Sequence, residues 1–409
     1  MIAYHFPPLA GSSGIQRTLR FVQHLPALGW EPLVLSCSPR AYERTSPDLD
    51  AEIPAGTVVR RAFALDTARH LSIGGRYIGA MSRPDRWVSW RFDAVRVGHS
   101  MIREFSPDVI WSTYPIATAH MIGASLAASS GLPWVADFRD PMAQEGYPAD
   151  PLTWQQFHDI ERHAVLNAAA TTFTTPGAAR VYRERYPAGA HRVRVIENGY
   201  DEESFSAAGQ SGLALAPLEA GVVTILHSGI VYPKERDPTQ LILALRQLAD
   251  SGVIAPGQMK IRFRAAVQEA LLLGLAREHR VLDYVDVLPP VGYREALAEM
   301  LRADALLLMQ AGDCNEQIPA KAYEYLRAGR PILCLSDPAG DTMGLVRASG
   351  VETVARIDDV QGIATLLAEF LSGAVRSRCL PRASFVKSAS RAGRTAELAN
   401  LLVEVAPTR

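Results

Sequence analysis

Two carboxylates, Glu316 and Glu324, stand eight positions apart in the segment CNEQIPAKAYEYLRAGRPILCL, residues 314–335. Ile318-Pro319 reads as a helix start, because proline at the first helical position gives up an N–H that would have no partner there. Gly329 reads as the C-cap, and Ile332 to Leu335 as a short apolar strand. Glu324 then lies midway along the helix, with Glu316 and Gln317 in the loop before it. The backbone N–H groups of Glu316, Gln317 and Ile318, with the positive helix end, suit contact with an anionic ligand. A carboxylate beside them repels phosphate but accepts hydrogen bonds from sugar hydroxyls. The alternative is a solvated helix with two ordinary surface glutamates.

The segment HSGIVYPKERDP, residues 227–238, places Lys234 and Arg236 just beyond an apolar run, Val223 to Leu226, with Gly229 in the turn. Two cations there suit a diphosphate whose negative charge grows as a bond breaks. Arginine can grip phosphate oxygens with two parallel bonds, whereas lysine acts as a mobile point charge. A solvated charge cluster is the competing reading. Near the start, FPPLAGSSGIQR carries Gly11 and Gly14 between a first strand and a helix of about Ile15 to Leu28. Glycines there let backbone approach a phosphate or a sugar, or simply make a tight turn. The loop is neither a dinucleotide fingerprint nor a P-loop.

His120 follows the run Val109-Ile110-Trp111 and falls in the first turns of the next helix. Its neutral imidazole could bond a sugar hydroxyl at a cleft edge or pack as a partly buried histidine. In WVADFRDP, Asp137, Arg139 and Asp140 stand directly after a buried strand, a costly place for charge unless it pairs or meets a ligand. Either an ion pair from Arg139 to Asp137 or Asp140 shapes the loop, or these residues touch substrate. No HExxH, GxSxG or clustered His and Cys set appears, so zinc hydrolysis and a hydrolase triad have no support.

Short apolar runs alternating with helix-length stretches must position these residues. Ile2 to Tyr4, Pro32 to Ser36, Val109 to Trp111, Trp134 to Ala136, Thr171 to Phe173 and Val193 to Ile196 form one series. Val223 to Leu226, Ile261 to Phe263, Asp283 to Val285, Ala305 to Met309 and Ile332 to Leu335 form another. This is βα alternation, which predicts parallel sheets covered on both faces. At 409 residues two domains are expected. The Ala-, Gly- and Ser-rich stretch Ser204 to Pro217 is the linker candidate. The expected domains are 1–204 and 205–390, with a terminal helix in 391–409 free to pack on either. Two such doubly wound domains would face a cleft at the C-terminal ends of their strands, where open parallel sheets bind ligands.

Lys and Arg total 42 against 43 for Asp and Glu, so charge gives no reason to expect a nucleic-acid partner. Arg76, Arg83, Arg86, Arg91 and Arg96, interleaved with Trp87, Trp90 and Phe92, could instead meet an anionic membrane surface or an anionic lipid-linked acceptor, or form a solvated face over buried aromatics. Four cysteines without metal or redox spacing read as free thiols in a reducing compartment. No stretch has the length of a bilayer-spanning helix, and MIAYHFPP lacks the features of an export signal. The expected location is cytoplasmic, with peripheral contact at the inner face of the membrane as an option.

Together these residues resemble the large retaining family four of GT-B glycosyltransferases, over almost the whole chain. Val195-Ile196-Glu197-Asn198-Gly199-Tyr200-Asp201 resembles that family's asparagine-glycine-x-aspartate turn. Ser228-Gly229 with Lys234 and Arg236 resembles its diphosphate-holding cations, in an altered spacing. Glu316 and Glu324 match its two glutamates separated by seven residues. The resemblance implies that Glu316 lies near the transferred sugar, that Glu324 accepts from the ribose hydroxyls, and that His120 stands near the sugar. The family's glycine-rich loop after the first glutamate is replaced here by Gln317-Ile318-Pro319-Ala320-Lys321. It implies a metal-independent transfer, with retention of configuration, from a nucleotide-sugar to a glycan, lipid-linked or small-molecule acceptor. A nucleotide-sugar epimerase of the same fold, or a non-catalytic partner in polysaccharide assembly, are the other readings.

Overall fold

The computed structural model describes residues 1–12, 14–210, 216–375 and 377–407. It divides into two compact units, residues 1–197 with 391–409, and residues 198–390. The first unit holds β1 (Val34–Cys37), β2 (Val59–Ala62), β3 (Ile110–Thr113), β4 (Trp134–Arg139), β5 (Ala170–Phe173) and β6 (Val193–Val195). All its ladders are parallel, in the orders β1-β2 and β3-β4-β5-β6. Ile2 joins the two groups by bridging both Leu35 and Ser112. Its amide donates to Trp111 O at 2.7 Å, and Ala3 N donates to Leu35 O at 3.1 Å. Residues 2 and 3 therefore lie between β1 and β3, bonded to a neighbour on each side. The order of strands reverses there, the place at which open parallel sheets commonly bind ligands outside their C-terminal ends.

The second unit holds β7 (Val223–Ser228), β8 (Met259–Arg264), β9 (Val285–Leu288), β10 (Ala305–Gln310), β11 (Ile332–Ser336) and β12 (Val354–Ala355). They form one parallel sheet in the order β12-β11-β10-β7-β8-β9, so its reversal lies between β7 and β10. β10 and β11 are buried along their whole length. That fits strands covered by helices on both faces, and explains why they read as unbroken apolar runs.

Several expectations need correction. β4 does not stop at Ala136 but runs on through Asp137 to Arg139, with a register shift against β5 between those two residues. The stretch from 40 to 96, which has little apolar pattern, contains β2 and the start of a helix, Trp90–Phe105. Residues 198–204, assigned above to the first domain, belong with the second, because Tyr200 and Phe205 are buried in its core. The expected linker begins inside a helix, Glu202–Gln210, and residues 211–215 lie outside the described ones. The helix Arg391–Val405 returns to the first unit, where Leu398, Leu401 and Leu402 cluster with Phe21, Trp111 and Val135.

Candidate functional site

In the second unit the loops after β7 and β10 meet, with Ala311 N donating to Glu235 O at 2.7 Å. The helix Ala320–Ala328 starts beside them, with Pro319 as N-cap and Gly329 as the left-handed residue that ends it (φ +64°). Ser228 N donates to Tyr325 Oη at 2.8 Å, which ties the end of β7 to this helix. Gly229 is held at φ +107°, and a Cβ there would stand 3.1 Å from Lys321 Nζ. Its conformation favours glycine, and a side chain there would push the lysine amine aside.

Arg236 and Lys321 are the cations brought together here. Arg236 is buried, donates to Ile230 O at 2.9 Å and lies over the Tyr232 ring at 5.1 Å. Its Nε has no partner. Lys321 Nζ is 3.0 Å from His227 Nε2. On the other side of that ring His227 Nδ1 lies 2.9 Å from Leu307 O. A carbonyl only accepts, so Nδ1 carries the proton, and Nε2 accepts from the lysine. Burial, with Lys321's charge, holds His227 neutral well below its ordinary range. Burial also lowers Lys321 to about 7, with Arg236 adding to the shift and Glu324 opposing it. Among the described residues neither cation forms an ion pair. Lys234, by contrast, is exposed and takes no part in the cluster. Lys321 is ninety-two positions beyond Gly229 in sequence, and only the fold brings the two together.

Glu324 is half-buried and accepts from Tyr293 Oη at 2.9 Å. Glu316 and Gln317 are exposed in the loop before the helix. Ile318, expected to contact the ligand, turns its side chain into the hydrophobic core instead.

The first unit places a second set of residues at its strand ends. Gly11 is exposed with φ +78°, and Gly14 begins the helix Gly14–His24. A Cβ on Gly14 would overlap His5 Nδ1 and stand 2.9 Å from the Arg139 guanidinium, so the close approach demands glycine. Asp137 is fully buried and paired with Arg17 by two bonds, of 2.9 and 2.8 Å, not with Arg139. Thr113 and Thr172 hydroxyls donate to it as well, at 2.8 and 2.7 Å. That satisfies the carboxylate, so Asp137 holds strands together and leaves ligand contact to others. Arg17 sits in the quoted FPPLAGSSGIQR stretch, but only its helical register reveals that it faces β4. Asp140 is exposed in the turn that follows.

His120 is not at an edge. It is fully buried against Phe138 (ring centroids 4.7 Å apart), with Nδ1 2.8 Å from Ser112 Oγ. Trp134 Nε1 donates to the same hydroxyl at 2.8 Å. Burial lowers the imidazole to about 4, so it is a neutral core residue. Helical phase turned it inward, which its position after a strand did not disclose.

Among the described residues no group of three or more His, Cys, Asp or Glu is arranged to hold a metal ion, and no helix is long and apolar enough to cross a membrane. The four cysteines are buried and none is in a disulfide.

Residues 13–199 match the family model of the glycosyl transferase 4-like domain. No curated protein matches the chain. Among solved structures, sucrose-phosphate synthase from Thermosynechococcus elongatus is similar at 14% identity and a TM-score of 0.65, over 98% of this chain and 97% of that one. A glycosyltransferase from Rickettsia africae gives 11% and 0.64, over 99% and 97%. Anabaena HepE, solved with UDP and glucose, gives 15% and 0.62, over 97% and 98%. At such identities the likeness establishes the fold: two Rossmann-like parallel-sheet domains of GT-B type.

Proposed function

We propose that this chain, whose residues 13–199 match the model of the glycosyl transferase 4-like domain, is a nucleotide-sugar-dependent glycosyltransferase with a division of labour between its two units. The second unit takes the donor: Arg236 and Lys321 grip its diphosphate, Glu324 receives its ribose hydroxyls, and Glu316 and the backbone around Gln317 lie toward the sugar. The first unit takes the acceptor. The observation that carries this reading is the pair of cations with no ion-pair partner among the described residues, placed where the second sheet reverses direction. Transfer proceeds with retention. The departing diphosphate accepts the acceptor's proton while the two cations and the start of the helix Ala320–Ala328 stabilise its growing charge.

Thermal stability with UDP-, GDP-, ADP- and TDP-sugars tests the reading. One nucleotide series should raise Tm, and Arg236→Ala and Glu324→Ala should each reduce the rise. Stabilisation by none of them, or an equal rise in both variants, would sink the assignment. Product analysis then separates transfer from epimerisation, which leaves the sugar on its nucleotide.

The acceptor is a glycan or lipid-linked precursor, and the first unit rests on an anionic membrane surface to reach it. The arginine-tryptophan stretch expected above to make that contact is largely engaged elsewhere. Trp90 is buried, and Arg83, Arg86 and Arg96 pair with Asp150, Asp66 and Asp93. What supports contact is the preceding loop, where Ile73 (89% exposed) and Ile78 (69%) stand out with Tyr77, Met81 and the exposed Arg76. Apolar side chains enter the headgroup boundary while arginine meets lipid phosphate. Ile73→Asp with Ile78→Asp should weaken sedimentation with phosphatidylglycerol vesicles about tenfold or more. Unchanged sedimentation would rule this loop out.

A further inference from the structure

We infer that Arg139 receives an anionic group of the acceptor, a carboxylate or a phosphate, beside the start of the helix Gly14–His24. The inference deepens the reading in which the first unit takes the acceptor, and rests on it.

Arg139 ends β4 with φ +65°, a conformation uncommon for a residue with a side chain. Thr174 fixes it, donating to its carbonyl from N at 3.0 Å and from Oγ1 at 2.8 Å. Such backbone persists where surroundings enforce it, often at ligand sites. The bend aims the guanidinium at Gly14.

Among the described residues the charge it carries has no anion of its own. Asp137, two residues earlier, is taken by Arg17. Asp140 acts on it from a distance but makes no ion pair with it. The remaining acceptor is Tyr114 O at 3.5 Å, the far limit of a hydrogen bond, and Arg139 Nε is buried without a partner. His5 is neutral, since burial and Arg139 itself lower its imidazole to about 4, and an imidazole has no anionic form to offer. Its Nδ1 is 3.2 Å from Ser12 Oγ, which also accepts from Gly14 N at 3.2 Å. Titratable neighbours on every side are therefore Arg17, Asp137, Asp140, His5 and Tyr114, and none neutralises the guanidinium by direct contact. Desolvating a cation without a paired anion is unfavourable, and a bound oxyanion removes that cost with two parallel bonds. The donor diphosphate has its own cations in the second unit, so the acceptor is left to supply this anion.

Titration of the full chain with inorganic phosphate and with acetate tests this, with UDP in parallel. In Arg236→Gln, whose second-unit site is weakened, phosphate or acetate should still bind. Adding Arg139→Gln should weaken that binding about tenfold, the loss of one charge-assisted contact, while Arg139→Lys keeps part of it. Arg139→Gln alone should bind UDP like the unaltered protein. A stronger response to phosphate than to acetate, or the reverse, identifies which oxyanion the site takes. Equal anion binding with and without Arg139 overturns the proposal. So does loss of UDP binding in Arg139→Gln, which would make Arg139 part of the donor site. If Arg139→Gln fails to fold, Arg139→Lys against Arg236→Gln carries the same comparison. Failure of UDP, and of GDP, ADP and TDP in its place, to bind any form sinks the donor assignment separately, because the phosphate comparison does not depend on it.

Discussion

Replacing Arg236 with glutamine should lower kcat for sugar transfer about 10²- to 10³-fold, and Lys321→Ala should do much the same. That is the usual loss when one donor aimed at developing charge is removed. The two need not act through KM, because the diphosphate gains charge only as the glycosidic bond breaks. A large rise in KM with kcat intact would assign them to ground-state binding instead. Lys321 adds a pH signature. With its amine lowered to about 7 in the free protein, a diphosphate drawn up to it raises that value again. Nucleotide-sugar affinity is then full below about pH 7 and falls as pH rises above it, since the protonated amine is the form that binds. At pH 8 binding takes up a proton, measurable by calorimetry in buffers of different ionisation enthalpy. The uptake should vanish in Lys321→Met. Uptake that persists in that variant would place the titrating group elsewhere, with neutral His227 the next one to examine.

The second large effect concerns stability. Asp137→Asn should destabilise the first unit by about 3–5 kcal/mol, because it leaves the buried Arg17 without its anion. Arg17 is 4% exposed and also donates to Ile196 O at 3.0 Å and Glu197 O at 3.1 Å, so it pins the end of the unit's last strand as well. Burial alone would raise the Asp137 carboxyl, but Arg17 and the hydroxyls of Thr172 and Thr113 outweigh it and hold the group below its ordinary value. A depressed carboxylate stabilises above the ordinary carboxylate range and loses that contribution as pH falls through its folded value. The difference between the variant and the unaltered chain should accordingly shrink in acid. All six tryptophans lie within residues 30–154, so their fluorescence reports urea unfolding of the first unit alone. An unchanged urea midpoint at pH 7 would mean the pair contributes nothing net.

What the sequence disclosed was layout. Strands such as Ala305–Gln310 and Ile332–Ser336 are apolar along their whole length, and Gly329 ends its helix as glycine in that position suggests. Both clusters of chemistry were legible as places: the turn after β7 and the end of β4. Which side chain does what in them was less so. Asp137 and Arg139 are two apart, and in sequence they look like partners. The register shift inside β4 sends one to Arg17 and the other toward Gly14. His120 and Arg17 both lie on helices whose rotation decides whether they face the core, and that is set by packing. Lys321 gave no local sign because its partners, His227 and Gly229, arrive through the pairing of β7 with β10.

Because residues 391–409 belong with residues 1–197, the second unit is an insertion in the first. A chain emerging from the ribosome can therefore finish its second half before its first. The residues that cover Phe21 and Trp111, namely Leu398, Leu401 and Leu402, are synthesised only after the whole second unit. Until then the earlier half carries an open apolar seam, the kind of surface that chaperones and proteases read as unfinished. A stop codon shortly after residue 390 would thus leave the second unit whole, yet mark the protein for removal through the first.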